Sequence, residues 1–321
     1  MPFWKRSSPE EEQQRIQAQQ VAEASLRSLQ AGGLPAQALR RLSEETAAGH
    51  PLFSSDLSTN EFALTRTEGY RPLSQVMGSS IYQVGWQYTF NYPSFTSSYE
   101  LTTVSNAHLH AARLALGRLE QEAALLKAHG VVGVRLATRD YEWGRNMLEY
   151  TAIGTAIRLP DAPLFPHPFL SDLSGQEFWT LLQAGYFPAG LVMGYCSYCV
   201  SSGWEINQIL RSWSNQEITA YTQAAYTARG LAMDRLAAMA RSLNAVGVVG
   251  VHLEFNKQEN EYEREHDFTT YRNLFIHFSV VGTAIVSRRP DHVIPSPKPT
   301  LTFTDLRLGR RGETSELTLR E

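Results

Sequence analysis

Two cysteines, Cys196 and Cys199, are all that 321 residues contain, too few for a disulfide framework and in keeping with a reducing cytoplasm. There is no charge excess either. Lys and Arg total 29 against 32 Asp and Glu, so the net charge of −3 supplies no basic field for nucleic acid or an anionic membrane surface. No apolar run approaches the roughly 20 residues of a membrane span. Ile276 to Val286 holds polar residues and reads as a strand, and no transmembrane segment is expected. Met1 to Glu12 lacks the apolar core of a signal peptide. Also missing are GxSxG, HExxH, the P-loop and the dinucleotide-binding fingerprint. The expectation is a protein that is not an enzyme, with no catalytic residue and no cofactor-binding residue assigned.

What the chain does have is hydrophobic content, 43%, enough for about two cores, and an internal repeat. Val76-Met77-Gly78 matches Val192-Met193-Gly194, and Gly85-Trp86 matches Gly203-Trp204. Gly130-Val131-Val132-Gly133-Val134 matches Gly247-Val248-Val249-Gly250-Val251, and Gly154-Thr155-Ala156-Ile157 matches Gly282-Thr283-Ala284-Ile285. The spacing is 116 residues at Val76 and Val192, 117 at Val131 and Val248, and 128 at Gly154 and Gly282. An insertion of 11 residues around Asn256 to Phe268, expected in a hairpin loop, accounts for the last step.

Each copy reads as an extended segment, a long helix and a hairpin. Leu109, Ala112, Leu116, Leu119, Ala123 and Leu126 form an apolar helical stripe, repeated by Tyr226, Met233, Leu236, Ala240 and Leu243 with Arg229 in place of an alanine. Ser105 and Asn106 are candidate N-caps; Gly130 and Gly247 stand where a left-handed C-terminal glycine is expected. The fold class is α+β: two tandem β-α-β-β two-layer domains after an N-terminal helical segment. Domains are expected at 62–159 and 178–287, with a helical arm over 1–55, a stiff Pro-rich linker over 160–177 and a polar tail over 288–321 containing one strand, Thr300 to Leu306.

With these motifs, in order and in duplicate, the chain resembles the YbjQ-like family, named for heavy-metal binding. The resemblance implies a dodecin-like β-α-β-β subunit that assembles into a five-membered ring, and it implies no activity. Two domains per chain then suggest a homo-oligomer of five chains in two stacked rings. The segment Leu26 to Leu42 resembles the short helical-hairpin modules called SHOCT and is a candidate contact for protein partners.

The sharpest chemical candidate is Cys196-Ser197-Tyr198-Cys199, a CxxC pair able to bind a soft divalent metal or to cycle as a redox couple; the alternative is two small buried residues on a strand. The aligned positions in the first copy are Ser80 and Gln83. His108 and His110, two apart on a helix, point to different faces and suit a solvated first turn. His252 and Glu254 alternate on a strand and share a face. Glu259, Glu261, Glu263, Glu265, His266 and Asp267 read as a solvated hairpin tip. Tyr92 to Phe95, Trp204 and Trp213 suit core packing or subunit contact. The expected function is an oligomeric, ring-forming scaffold or interaction protein, with soft-metal binding through Cys196 and Cys199 as the alternative.

Overall fold

A computed structural model describes residues 9–47, 54–85, 97–140, 147–160, 162–203, 206, 208–209, 212, 214–263 and 270–288. Trp86, Tyr92 to Phe95, Trp204, Trp213, Glu265 to Asp267 and the strand expected at Thr300 to Leu306 lie outside them. The chain runs α1 (Pro9–Gln30), α2 (Ala36–Ala47), α3 (Thr59–Thr67), β1 (Arg71–Gln83), β2 (Ser97–Glu100), α4 (Thr102–Leu125), β3 (Gly130–Asp140), β4 (Met147–Arg158) and β5 (Phe169–Leu170). It continues through α5 (Gly175–Gln183), β6 (Tyr186–Ser201), α6 (Thr219–Ser242), β7 (Gly247–Glu263) and β8 (Thr270–Ser287). The class is α+β with an N-terminal helical segment, as the sequence indicates.

The strands form two four-stranded sheets, β1-β4-β3-β5 and β2-β6-β8-β7. Both are antiparallel except for β5, which runs parallel to β3. Irregularities fall at matched places, between Pro72 and Ser74 and between Pro188 and Gly190, then between Val132 and Arg135 and between Val249 and His252. In the Gly-Val-Val-Gly-Val runs the second glycine sits in this bulge: Gly133 and Gly250 both have φ +65°, a conformation that a side chain disfavours.

Layering follows from which way the strand residues point. Gly78 on β1 lies against the backbone of α4 at Ala115, and Gly194 on β6 lies against the backbone of α6 at Ala232. The alternate β6 residues Met193 and Tyr195 enter the α4 core with Val76, Ala115 and Leu119. Helix α4 is therefore enclosed, with sheet β1-β4-β3-β5 on one side and sheet β2-β6-β8-β7 on the other; α6 covers the second sheet's far face. The two α+β units thus pack on one another within the chain. Strand β2 leaves the first sheet altogether and pairs with the edge of β6.

Several local expectations are corrected. The left-handed residues ending the long helices are Lys127 (φ 57°) and Asn244 (φ 54°), while Gly130 and Gly247 open strands β3 and β7. Ser105 lies inside α4, whose N-cap position is Leu101. The inserted residues lengthen the β7–β8 ladder through Glu263, so Glu259, Glu261 and Glu263 belong to a strand. The proline-rich connection is a spacer only in its first half. Phe169 and Leu170 pair with β3, and Ser174 caps α5 in a capping box with Glu177 that repeats the Ser58–Glu61 box of α3.

The arm is a docked hairpin. Ser28 Oγ donates to Leu34 O at 2.7 Å, Arg118 donates to the carbonyls of Leu29 and Gly33, and Arg41 pairs with buried Glu122 at 2.6 Å. Glu122 also accepts the Met77 N–H at 3.0 Å. Glu122→Ala strands that N–H and the Arg41 guanidinium, and is expected to cost about 2–3 kcal/mol. Chemical denaturation reads the loss, and faster proteolysis around Gly32 to Pro35 reads release of the arm; an unchanged midpoint and cleavage rate would refute this attachment.

Candidate functional site

Strand β6 keeps unbroken register with β8 from Gly190 to Ser201. Three residues apart on such a strand means opposite faces. Cys196 sits in the α6 core with Val192, Tyr198 and Val200. Cys199 points the other way with its register partner Tyr99. Both thiols are buried. Burial, and then the nearby Glu100 charge, pushes Cys196 up to about 12, and burial pushes Cys199 up to about 11. The thiolate is what binds metal or attacks a disulfide, so both groups are held in the unreactive form.

The structure thus does not bring Cys196 and Cys199 together, and one ion could not take both without breaking β6. Among the described residues no cluster of three His, Cys, Asp or Glu is placed to hold a metal. The residues described do not fit a heavy-metal centre within one chain. Both thiols are expected to react with a thiol reagent at pH 8 about 100-fold or more slowly in the native protein than after unfolding, monitored by absorbance. Comparable native and unfolded rates would contradict the burial.

Beside Cys196 lies a charge contact tying β2 to α6. Arg235 Nη1 approaches Glu100 Oε1 at 2.7 Å and donates to Tyr195 O at 2.6 Å. Burial raises the Glu100 carboxyl, but the Arg235 contact, the Ser105 hydroxyl and the Arg235 charge outweigh it and leave the group lowered.

The histidine pair diverges, as the spacing indicates, yet His108 is not a solvated residue. It is buried in α4, its Nδ1 3.0 Å from Tyr150 Oη, its ring stacked on Tyr195 with centroids 3.9 Å apart. Tyr195 Oη in turn lies 3.1 Å from His277 Nδ1. Desolvation, with a smaller contribution from His277, takes His108 down to about 3, so it is neutral at any working pH. His110 is exposed and edges against the Tyr82 ring.

Beyond α4 the two sheets part to leave a cleft of about 370 Å³, with Leu136 and Tyr150 on one wall and His252 and Glu254 on the other. His252 and Glu254 do share a face. Asp172 and Glu177 close the cleft; Asp172 accepts the Thr283 hydroxyl and its own carboxyl is raised by burial. Among the described residues the cleft holds no nucleophile paired with a base, and what it offers is a small polar recess.

Sequence reading missed the element that shapes this recess. Ser55-Asp56-Leu57-Ser58 and Glu61 recur as Ser171-Asp172-Leu173-Ser174 and Glu177, 116 residues apart. Ser55 Oγ lies 3.2 Å from Thr155 Oγ1, and Ser171 Oγ lies 2.9 Å from Thr283 Oγ1; each following Asp N–H donates to the same threonine. The duplicated Ser-Asp-Leu-Ser is itself a signal in the sequence, lying upstream of residues 62 and 178.

The YbjQ family, described as "Putative heavy-metal-binding", matches residues 187–288. The Encapsulin nanocompartment protein Rv1762c of Mycobacterium tuberculosis is 40% identical over 215 residues, which span 65% of this chain and 80% of that protein. With the repeated glycine-valine motifs, the bulged sheets and this degree of identity, the chain belongs to the YbjQ-like family.

Proposed function

We propose that this chain is a non-enzymatic, homo-oligomeric structural or interaction protein that takes part in an encapsulin nanocompartment. The observation that carries the reading is the 40% identity to a protein named for that compartment. Supporting it, Cys196, Cys199 and His108 are buried and neutral, and the described helices include none long and apolar enough to cross a membrane. A cytoplasmic location fits the buried, unpaired cysteines.

In this reading the chain is a tandem duplication with units over 62–159 and 178–287, each extended upstream by its Ser-Asp-Leu-Ser segment. The arm supplies a partner surface: Ile16, Val21 and Leu26 stand exposed along α1 although the hairpin itself is docked. Five chains in two stacked rings is the assembly that a five-membered ring of domains would require.

Co-expression with the encapsulin shell protein of its own source tests the role. The chain is expected to sediment with assembled shells; a chain found only in the free fraction would remove this reading. Native mass with and without chelator tests composition. The family's description supports soft-metal binding as a second reading, and the placement of the thiols on β6 argues against it, so equal masses are expected.

A further inference from the structure

The contact between the two halves of the chain is built from three pieces, and each piece has a duplicate that is not joined in the same way within the chain. First, β2 adds to the edge of β6, with Leu101 N donating to Ser197 O at 2.7 Å and Glu100 reaching Arg235. Its duplicate is Ser214 to Glu217, exposed and outside any sheet. Ile218 repeats the backbone conformation of Leu101, with φ and ψ of −90° and 84° against −85° and 77°. Glu217 accepts from Thr222 as Glu100 does from Ser105, and no cation pairs with it among the described residues. The duplicate of the receiving edge is the outer side of β1, a terminal strand of its sheet, where Arg118 donates to Ser79 O as Arg235 does to Tyr195 O; here the arm's Leu29 and Gly33 carbonyls take the place on the guanidinium that Glu100 takes on Arg235, and Glu217 of the next copy would share or replace them.

Second, α4 is buried on two faces and α6 on one. Leu109 is 7% exposed where α6 has Tyr226 at 66%. The sheet face that α4 covers has a bare counterpart too: Met193 is 1% exposed, and the matching Met77 is 48% exposed beside exposed Ile81. Third, Leu173 and Ser171 accept the N–H groups of the Gly133 bulge and Val134. The duplicate bulge at Gly250 and Val251 has no such segment among the described residues, and Val251 is 39% exposed where Val134 is 3%.

We propose that the second half of one chain docks on the first half of a second copy as the two halves dock within a chain. Residues 214–217 extend the β1 edge of the next copy, Glu217 meets its Arg118, α6 packs Tyr226 against its Met77 and Ile81, and its residues 55–57 dock on the Gly250 bulge. The exposed apolar residues Leu253 and Phe255, matching Leu136 and Thr138 of the closed cleft, are covered by the same step. Such an interface is head-to-tail, so it propagates and closes into a ring in which first and second halves alternate. Two stacked rings would instead need first halves to meet first halves. The inference rests on the oligomeric part of the proposed function and replaces its stacked-ring geometry with an alternating one.

The test uses full-length chains and native mass spectrometry. Glu217→Arg and Arg118→Glu, each alone, are expected to lose the oligomer, because like charges then face each other across every interface. Mixing the two variants is expected to restore it, since each donor end then meets an opposite acceptor end, in an alternating assembly with an even number of chains. Tyr226→Glu, on an exposed position, is expected to give a folded monomer by circular dichroism and checks the surface independently of Arg118, which also holds the arm. A monomeric wild type would remove the oligomeric reading itself. A wild-type oligomer that survives Glu217→Arg and Tyr226→Glu, or single variants that fail to reassemble on mixing, would overturn this interface and leave that reading in place.

Discussion

Gly194→Ala is expected to destabilise the protein by about 3 kcal/mol or more, at the upper end of the usual cost of overpacking. The methyl would overlap the carbonyl of Ala232, a backbone atom of α6 that cannot swing aside as a side chain does. Relief requires the helix to lift from β6, and with it Ala228, Ala232 and Leu236 lose their packing. For a chain of 321 residues the loss corresponds to a fall in Tm of roughly 4–5 °C or more. Gly78→Ala meets the Ala115 carbonyl of α4 in the same way. Gly230→Ala is the contrast: nothing lies near the added methyl, and removing a glycine from a helix interior is expected to stabilise by about 1 kcal/mol. Thermal unfolding of the three variants measures both signs, and a Gly194→Ala protein that melts with the wild type would show that α6 does not sit on β6 as described.

Acidification is the second large effect. His108 ordinarily titrates near 6.5 and in the folded chain near 3, so between these values the unfolded chain binds a proton that the folded one refuses. Its contribution is full above about pH 6.5, shrinks as the pH falls, and is gone near 3. The slope is about 1.4 kcal/mol per pH unit inside that window, or about 2 kcal/mol between pH 7 and 5. Glu100, whose carboxyl is lowered, adds to the loss at still lower pH, below the ordinary carboxylate range. Around His108 stand the Tyr150 hydroxyl, the stacked Tyr195 ring and the charge of His277, and among the described residues no carboxylate acts on it to welcome the charge. Urea titrations at pH 7 and 5 should show the drop in the wild type and a much flatter response in His108→Phe. Equal slopes in the two proteins would assign the acid sensitivity elsewhere.

The repeat and the α+β class were legible because they are local. Gly-Val-Val-Gly-Val in duplicate marks strands with a shared bulge, and the leucine and alanine spacing marks the long helices. The opposing faces of Cys196 and Cys199 were legible as well, since a strand reverses its side chains at every residue; reading the segment only as extended, without assigning its parity, made the pair look like a chelate. The Ser-Asp-Leu-Ser segments lie outside the glycine-marked core of the repeat, and their role is a hydroxyl contact to Thr155 and Thr283, which leaves no mark in apolar pattern.

Other features had no local signal. Leu109 and Tyr226 occupy the same place on the same kind of helix stripe, yet one is buried and the other exposed, because α4 has a second sheet against it and α6 does not. Nothing in Ser97 to Glu100 announces that this strand abandons its own sheet for β6; strand pairing is set by which edge is open and within reach, and that depends on elements a hundred residues away. By itself the sequence determined the elements, their duplication and the absence of catalytic and membrane-spanning patterns, all of which are written in short-range periodicity and composition. Tertiary structure alone decided which edges are closed, which helix faces are covered and which charges meet, because those depend on pairing between distant segments, and it left the second half of the chain with the surfaces that the first half has already filled.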